Sequence, residues 1–425
     1  MDAVVKGSEA QATRPLHGRS RAALPARPPG PLPVGPARQP AAAPQRIEGL
    51  DGLRALSIVI VLLGHAARGV AAPQWLWPLR DLGTLGVYLF FSISGFIITL
   101  LMLRERQRRG RVSLKAFWER RALRILPPFA AACAGIAAVA TAGLIDWHWS
   151  SFLGALTFSK NTALFKGDWF FGHFWSLSME EQFYLFWPLL FLLLMARGRA
   201  AAALLAMTLS APALALLNRA GYPVFNNILP CIPYLSLGCL LAVLLHTRHR
   251  WLQRWRERHG LRAASLLVLP AAAAGCAALQ RDGPWPYLDD ALAAACGVLA
   301  AFSMLAETVL NDGLLRRPMS LAPLRWLGLV SYSLYLWQQL FMAPPEAYRA
   351  QWWLSAWPQN MVAAIACGAL AYLLVEKPAA ALKQRLPGVG IRESGFVKAA
   401  ERAPESRIPM PARGAASAAS RSART

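Results

Sequence analysis

Acidic side chains are scarce in this sequence. It has 22 aspartate and glutamate residues against 45 lysine and arginine residues in 425 positions, and only 16% of its residues are charged. A soluble domain of this length needs a charged exterior around its core. This sequence combines few charged residues with 56% hydrophobic residues. The combination excludes an ordinary soluble domain and indicates an integral membrane protein.

Cysteine is the second residue type in short supply. Metal sites and disulfide frameworks have recurrent cysteine spacings, and neither CxxC nor CxxH occurs here. We therefore expect buried thiols, no disulfide framework and no metal site. The six cysteines lie in or beside apolar stretches, at positions 133, 231, 239, 276, 296 and 367.

Long apolar stretches make up much of the sequence. Each approaches the roughly 20 residues that an α-helix needs to cross a bilayer. The sequence therefore predicts an all-α integral membrane fold, a bundle of about ten transmembrane helices with short loops. The predicted spans are 53–70, 84–103, 125–145, 176–196, 200–217, 228–246, 262–280, 288–309, 324–342 and 357–376.

The net charge of +23 suggests nucleic acid as a partner, but the placement of the charges argues against it. Basic residues concentrate in alternate loops, as the positive-inside rule requires of cytoplasmic loops. We therefore expect membrane lipids as the surroundings, no nucleic-acid partner, an even number of crossings and both termini in the cytoplasm. The basic loops contain RERQRRGR, ERRALR, RGR, HTRHRWLQRWRERHGLR and LLRRP.

The two ends of the chain differ from its middle. Residues 1–46 are rich in proline, arginine and alanine and contain no apolar run, which predicts a disordered basic cytoplasmic tail. Residues 385–425 indicate a second disordered cytoplasmic tail. Between them, residues 47–380 form one predicted transmembrane domain, so any chemistry must use its helices and short loops.

The first predicted span contains ionisable residues at both ends, with Asp51 and Arg54 near its start and His65 near its end. Ionisable groups inside a membrane are costly and often functional. Arg54 and His65 are eleven positions apart, so they share one helix face about 16 Å apart along the axis. They are either a functional pair or two side chains that extend to opposite interfaces.

Two adjacent carboxylates, Glu180 and Glu181, lie near the start of the fourth predicted span. One explanation is structural, because Ser178-x-x-Glu181 fits a capping box and acidic residues favour helix N-termini. That explanation covers Glu181 and leaves Glu180 as a functional candidate.

Arg121 and Arg124 precede the third predicted span and share a helix face. They either mark the cytoplasmic side or hold the phosphates of a nucleotide-like ligand, since guanidinium groups match phosphate oxygens. The residues alone leave both interpretations open.

Taken in order, five motifs resemble one family, the acyltransferase-3 family of membrane-bound O-acyltransferases. The similarity covers residues 47 to about 378. A basic residue, ten residues and a histidine in the first helix match Arg54 and His65, and an RxxR segment matches Arg121 and Arg124. The stretches that carry the resemblance are LDGLRALSIVIVLLGHA, GVYLFFSISGFIIT, ERRALRILPPF, FWSLSMEEQFYLFWP and LGLVSYSLYLWQQ.

Two positions depart from the family pattern. Many members have an acidic residue where this chain has Tyr88, and many have histidine where it has Gln338. A role for either family residue cannot be carried over to this chain.

The resemblance implies a multi-pass protein of the bacterial inner membrane. It would transfer an acyl group, acetyl by preference, from acyl-CoA to a hydroxyl group of a cell-surface saccharide or glycolipid. No bound cofactor is expected, because acyl-CoA is the donor substrate. The competing hypothesis is a transporter or flippase for a saccharide or lipid intermediate, which would use the same charges as a polar path.

The resemblance also implies roles for individual residues. Arg54, Arg121 and Arg124 would bind the donor. His65 would act as general base or acyl carrier, with Glu180 orienting its imidazole and Glu181 beside it. Asp51, Ser94 and Tyr332 are candidates for support, the last two as donors to an oxyanion.

Overall fold

The computed structural model describes most of the chain between the two predicted tails. Residues 1–46 and 385–425, the predicted disordered tails, lie outside the described residues. The described residues are 47, 49–162, 164–165, 167–220, 228–279, 286–310, 312–349 and 353–383.

All regular secondary structure in these ranges is helical. Two isolated β-bridges, Val70 with Ala356 and Ile145 with Tyr348, join loops. The α-helices are α1 Gly49–Ala66, α2 Gly83–Arg109, α3 Leu114–Thr141, α4 Trp149–Leu156, α5 Phe174–Ala196, α6 Ala200–Leu209, α7 Ala211–Arg219, α8 Cys231–His246, α9 Arg250–Glu257, α10 His259–Leu279, α11 Pro286–Val309, α12 Ala322–Trp337, α13 Gln359–Ala371 and α14 Lys377–Lys383. Short 3-10 turns include Gln338–Leu340, directly after α12, and a π turn, Tyr372–Glu376, joins α13 to α14.

Six of the described helical segments are long and apolar enough to cross a membrane. They are α1, α2, α3, α5, α11 and the continuous segment Gln359–Leu382. The number rises to eight if the bent pairs α6 with α7 and α8 with α9 each count as one span. The chain is therefore a helical protein with several membrane spans, and the expected number of about ten is not confirmed. One reason is length, since the 16 residues of α12 reach about 24 Å, less than the hydrocarbon thickness.

Helix α1 packs against both α2 and α12. Its contact with α12 is backbone to backbone, because a Cβ atom added at Gly328 would lie 1.8 Å from the carbonyl oxygen of Asp51. The two helices run in the same direction, since His65 at the end of α1 meets Gln338 just after α12. Helix α2 runs opposite to α1, with Gly64 against Gly83.

The pair α2 and α8 also packs without intervening side chains. A Cβ atom added at Gly238 would lie 1.9 Å from the carbonyl oxygen of Ser92, and one at Gly95 would lie 2.2 Å from that of Leu235. Small residues in α2 therefore serve close helix packing. Tyr88 of α2 stacks on Tyr234 of α8 with ring centroids 4.3 Å apart.

A buried ion cluster ties α9, α10 and α11 together. Arg262 is completely buried and donates two hydrogen bonds of 2.7 Å to the two carboxylate oxygens of Glu307. It also reaches Asp312 at 3.2 Å, and Trp255 donates to Glu307. Burial disfavours the charged form of Asp312, but its own backbone N–H group, Arg256 and Arg262 lower its pKa below the ordinary value. Every charge in this cluster has a partner.

The cysteines were expected to be buried. Cys133, Cys231 and Cys239 are buried, and Cys296 and Cys367 are partly buried. The side chain of Cys276 lies outside the described part of the structure.

Candidate active site

A cavity of about 90 Å³ lies among α1, α2, α3, α5 and α12. Its apolar walls come mainly from α2, whereas its charged groups come from the other helices. These helices meet here because α1 packs closely against both α2 and α12. The polar residues that line it are Arg54, Ser94, Arg121, Arg124, Ser176, Glu180, Glu181, Tyr184, Ser331, Tyr332 and Tyr335.

The structure brings the three predicted donor-binding arginines to this one cavity. Arg54 comes from α1, and Arg121 and Arg124 from one face of α3. In the described part of the chain, none of the three makes a side-chain hydrogen bond or an ion pair within 4 Å. The Arg121 guanidinium lies 5.1 Å above the ring of Tyr184. The cavity therefore presents three guanidinium groups whose hydrogen-bond donors remain available.

Glu180 lines the same cavity, in the second turn of α5. Its carboxylate accepts hydrogen bonds from the hydroxyl groups of Ser94 and Tyr184. The hydroxyl oxygens of Tyr184 and Ser94 lie 3.2 Å apart, so the three groups form one cluster. Glu180 interacts electrostatically with Arg54 across the cavity. The structure therefore joins Glu180 to Ser94 and Arg54, not to His65 as we had expected.

The capping-box interpretation of Glu181 is wrong. Helix α5 begins at Phe174, so Ser178 lies inside the helix and donates to the carbonyl group of Phe174 at 2.9 Å. The helix begins four residues before Ser178, ahead of the cap that the sequence predicted. Glu181 instead lines the cavity, where one of its carboxylate oxygens is buried and has no hydrogen-bond partner among the described residues.

The two other candidates for support have different positions. Tyr332 lines the cavity, but its hydroxyl group donates to the carbonyl oxygen of Ile125 at 3.1 Å. It therefore fixes α12 to α3 beside Arg124. Asp51 is buried at the N-terminal end of α1, away from the cavity lining, where an acidic residue complements the helix dipole.

A third carboxylate, that of Glu376, lies within electrostatic range of the arginines and was not identified from the sequence. Glu376 is buried at the end of the π turn and accepts a hydrogen bond of 2.7 Å from Ser333. It interacts electrostatically with Arg124 and Arg54. An ionisable residue at the end of the tenth apolar stretch was the available signal.

His65 lies outside the cavity lining, near the other end of α1. Its Nδ1 atom lies 2.7 Å from Oε1 of Gln338, and its Nε2 atom lies 3.3 Å from Nε2 of Gln339. The ring of Trp169 packs against it edge-on, with ring centroids 5.5 Å apart. The imidazole is thus oriented by two glutamine amides that the sequence did not identify as orienting groups.

One wall separates the cavity from His65. Ser176 and Tyr335 line the cavity, and their hydroxyl oxygens lie 2.5 Å apart. Tyr335 also donates to the backbone carbonyl of His173 at 3.1 Å. The His173 side chain in turn contacts Gln339, which contacts His65. The arginine cavity and His65 are therefore neighbours across a hydrogen-bonded wall.

Known proteins resemble part of this chain in sequence. A proposed O-acetyltransferase of Staphylococcus aureus (strain COL) is 35% identical over 164 residues, which cover 35% of this chain and 25% of the relative. The O-acetyltransferase OatA of Staphylococcus aureus (strain NCTC 8325 / PS 47) is 33% identical over 172 residues, 36% of this chain and 26% of OatA. The matched segment thus spans about a quarter of the length of these relatives. No solved structure matches the chain significantly.

The match to a family is far longer than the match to any of these relatives. The profile of the acyltransferase-3 family, described as an acyltransferase domain, matches residues 47–376. That range contains the arginine cavity, the carboxylates around it and the His65 environment. The chain therefore belongs to the acyltransferase-3 family.

Proposed function

We propose that this chain is an acyl-CoA-dependent O-acyltransferase. The observation that carries the proposal is that Arg54, Arg121 and Arg124 line one cavity between membrane helices and make no ion pair within 4 Å among the described residues. Charges among membrane helices are costly, and the nearby carboxylates leave the guanidinium hydrogen-bond donors available to an anionic ligand. The relatives, which are named as O-acetyltransferases, support the type of reaction.

The arginines suit an anionic donor such as acyl-CoA. Guanidinium groups form paired, charge-assisted hydrogen bonds with phosphate oxygens. The nucleotide head of acyl-CoA would meet Arg121 and Arg124, and Arg54 would lie further along the pantetheine arm. The arm would then direct the thioester towards the wall formed by Ser176 and Tyr335.

Glu180 and Glu181 are assigned to the arginines in this proposal. Glu180 is fixed by Ser94 and Tyr184 and interacts electrostatically with Arg54. Glu181 interacts in the same way with Arg121. Together they would hold the guanidinium groups extended before the donor arrives.

His65 is the proposed general base. It would accept the proton of the acceptor hydroxyl while the hydroxyl oxygen attacks the thioester carbonyl carbon. The new C–O bond forms, the C–S bond breaks, and the proton passes from the imidazolium to the CoA thiolate. The products are an O-acyl ester and free CoA, so His65 returns to its neutral form.

The proposal includes finer assignments. The acyl group would be acetyl before longer chains, in keeping with relatives that are named as O-acetyltransferases. The acceptor would be a hydroxyl of a cell-surface saccharide or glycolipid. The arginine end would face the cytoplasm of a bacterial cell, with both chain termini on that side of the inner membrane and α10 and α12 completing about ten spans.

Transfer of label from radioactive acetyl-CoA tests the proposal directly. Membranes containing the full chain should move label into saccharide or lipid, and His65→Ala should abolish the transfer at unchanged protein abundance. His148→Ala is the matched control, because His148 is an exposed histidine outside the candidate site. Full transfer by the His65→Ala variant would contradict the role of His65. Uptake of a saccharide or lipid without covalent labelling would contradict the enzymatic function and favour a transporter.

A further inference from the structure

Helix α9 turns sharply away from the helix before it. The axes of α8 and α9 are bent by 94° at a short break. Helix α8 packs along α2, which is a candidate membrane span. A helix at right angles to this pair runs along the membrane surface, which is the position of an interfacial helix.

The depth of α9 follows from its contacts with α11, another candidate span. The rings of Trp251 and Trp255 both pack against Phe302, with ring centroids 5.5 and 5.8 Å from that of Phe302. Phe302 lies seven residues before Val309, the last residue of α11, which is about 10 Å along the helix axis. The two tryptophan rings thus reach deeper than the end of the span, as the apolar face of an interfacial helix does.

The buried ion cluster between α10 and α11 holds α9 in a fixed orientation. Trp255 donates a hydrogen bond to Glu307, and Arg256 pairs with Asp312 at 2.9 Å. The guanidinium group of Arg262 also donates to the carbonyl oxygen of Arg256 at 2.8 Å. The side of α9 that makes these contacts therefore faces the protein, and the opposite side faces outwards.

The outward side of α9 is cationic. Arg250 and Arg254 are four residues apart and share one face, and Arg258 follows at the C-terminal end of the helix. All three are exposed, and none makes an ion pair within 4 Å among the described residues. Arg256, whose counter-charge is Asp312, lies between them in sequence but on the side facing the protein. The three outward arginines have no such counter-charge in the described chain.

Trp251 lies at the border of this cationic face. It follows Arg250 directly, precedes Arg254 by three positions and is 45% exposed although it contacts Phe302. Tryptophan is enriched where a membrane meets water, because its ring is apolar and its N–H group is polar. A half-exposed tryptophan beside arginines therefore suits the boundary between lipid headgroups and acyl chains better than it suits water.

We propose that α9 is a binding site for the headgroups of anionic phospholipids. Arg250, Arg254 and Arg258 bind the phosphate oxygens, which match guanidinium groups, and Trp251 inserts between the upper parts of the acyl chains. The site is distinct from the cavity that holds Arg54. It does not depend on the acyltransferase function proposed above.

Two triple substitutions separate this site from a general attraction between basic loops and anionic lipid. The test variant is Arg250→Gln/Arg254→Gln/Arg258→Gln. The control is Arg106→Gln/Arg108→Gln/Arg111→Gln, which removes the same charge from exposed arginines at the end of α2. These control arginines also make no ion pair within 4 Å among the described residues.

Native mass spectrometry of the full chain counts the lipids that it keeps from micelles containing equal amounts of phosphatidylglycerol and phosphatidylcholine. We expect the preference for phosphatidylglycerol to fall at least about tenfold in the test variant and less than about twofold in the control, because each basic residue at an anionic surface contributes roughly fivefold to binding. Equal losses in the two variants, or no loss in the test variant, would overturn the proposal. Arg254→Gln alone should lose roughly fivefold, which keeps the test valid if the triple variant folds poorly.

Competition identifies the source of the bound phosphate. Inorganic phosphate at the concentration of the lipid should not displace phosphatidylglycerol from the full chain, since it has no acyl chains to place beside Trp251. Displacement would show a site for soluble anions and contradict the proposal.

The depth of Trp251 can be measured without reference to lipid charge. In the full chain labelled with 5-fluorotryptophan and placed in nanodiscs, the signals of Trp251 and of the buried Trp187 are assigned by their loss in Trp251→Phe and Trp187→Phe. We expect a nitroxide-labelled lipid to broaden the Trp251 signal more than a water-soluble gadolinium chelate does, with Trp187 as the protected reference. Broadening of the Trp251 signal by the chelate alone would place α9 in water and refute the inference.

Discussion

Two groups of arginine side chains lie inside this protein, and they differ in their partners. Arg262 is fully buried and has a two-point ion pair with Glu307 and a second contact with Asp312. In the described structure, Arg54, Arg121 and Arg124 face a shared cavity without any ion pair within 4 Å. The first group has its counter-charges in the chain, whereas the second has its hydrogen-bond donors free.

The difference indicates which arginines stabilise the fold and which are available to bind a ligand. A buried charge needs compensation, and a two-point carboxylate pair supplies it within the protein. The cavity has carboxylates within electrostatic range, but among the described residues none is close enough to occupy the guanidinium donors. Arg262 should therefore matter for folding, and the cavity arginines should matter for ligand binding. Substitutions at Arg262 and at the cavity arginines can test this assignment.

The largest effect is expected at Arg262. The change Arg262→Ala leaves Glu307 buried without its partner, which typically costs about 3–5 kcal/mol. Thermal unfolding in detergent and hydrogen exchange of α9 and α10 would measure the loss. The double variant Arg262→Met with Glu307→Leu is the control, because replacing both charges with apolar groups is often neutral. Normal stability of the Arg262→Ala variant would show that the ion pair is not structural.

A smaller effect, on binding instead of folding, is expected at Arg124. The change Arg124→Ala should weaken acyl-CoA binding by about 1.5–3 kcal/mol, roughly 10- to 150-fold, because charged hydrogen bonds to the donor are lost. Stability should fall much less than in Arg262→Ala, since Arg124 has only an electrostatic interaction with Glu376 and no ion pair within 4 Å in the described residues. Calorimetry with CoA and unfolding of the same sample measure both quantities. The exposed Arg108→Ala is the matched control, and a loss of stability without a loss of affinity would contradict the distinction.

The smallest effect is expected for an exposed pair. Arg349 and Asp146 lie 2.5 Å apart, and both side chains are 57% exposed. Water and salt screen such pairs, so Arg349→Ala should cost about 0–1 kcal/mol. Unfolding at low and high salt would show whether even this small difference disappears. A cost comparable to that at Arg262 would mean that burial does not explain the comparison.

The sequence predicted the helices well because long apolar stretches have few alternatives to helix in a membrane. It also predicted that Arg54, Arg121 and Arg124 would belong together, and the structure brings them to one cavity. The number of spans was harder to predict from the sequence, because α12 is short and the pair α6 and α7 is bent. Neither property is visible in a count of apolar residues.

The contacts of His65 could not be predicted in the same way. Gln338 and Gln339 follow an apolar helix and carry no charge, so no cost of burial marks them as functional. Their importance depends on α1 and α12 running in the same direction at backbone contact, which places residue 65 beside residues 338 and 339. Glu376 was missed because it lies at the end of a predicted span, where a charge is usual.

The hydroxyl groups of Ser176 and Tyr335 have a consequence for the membrane itself. They lie 2.5 Å apart between the cavity and the His65 environment, and Tyr335 is also tied to the main chain of His173. A protein with polar groups on both sides of such a wall would leak protons and ions if the two sides formed one water-filled path. Because these two hydroxyl groups satisfy each other, they leave water few hydrogen-bonding sites along such a path when no donor is bound.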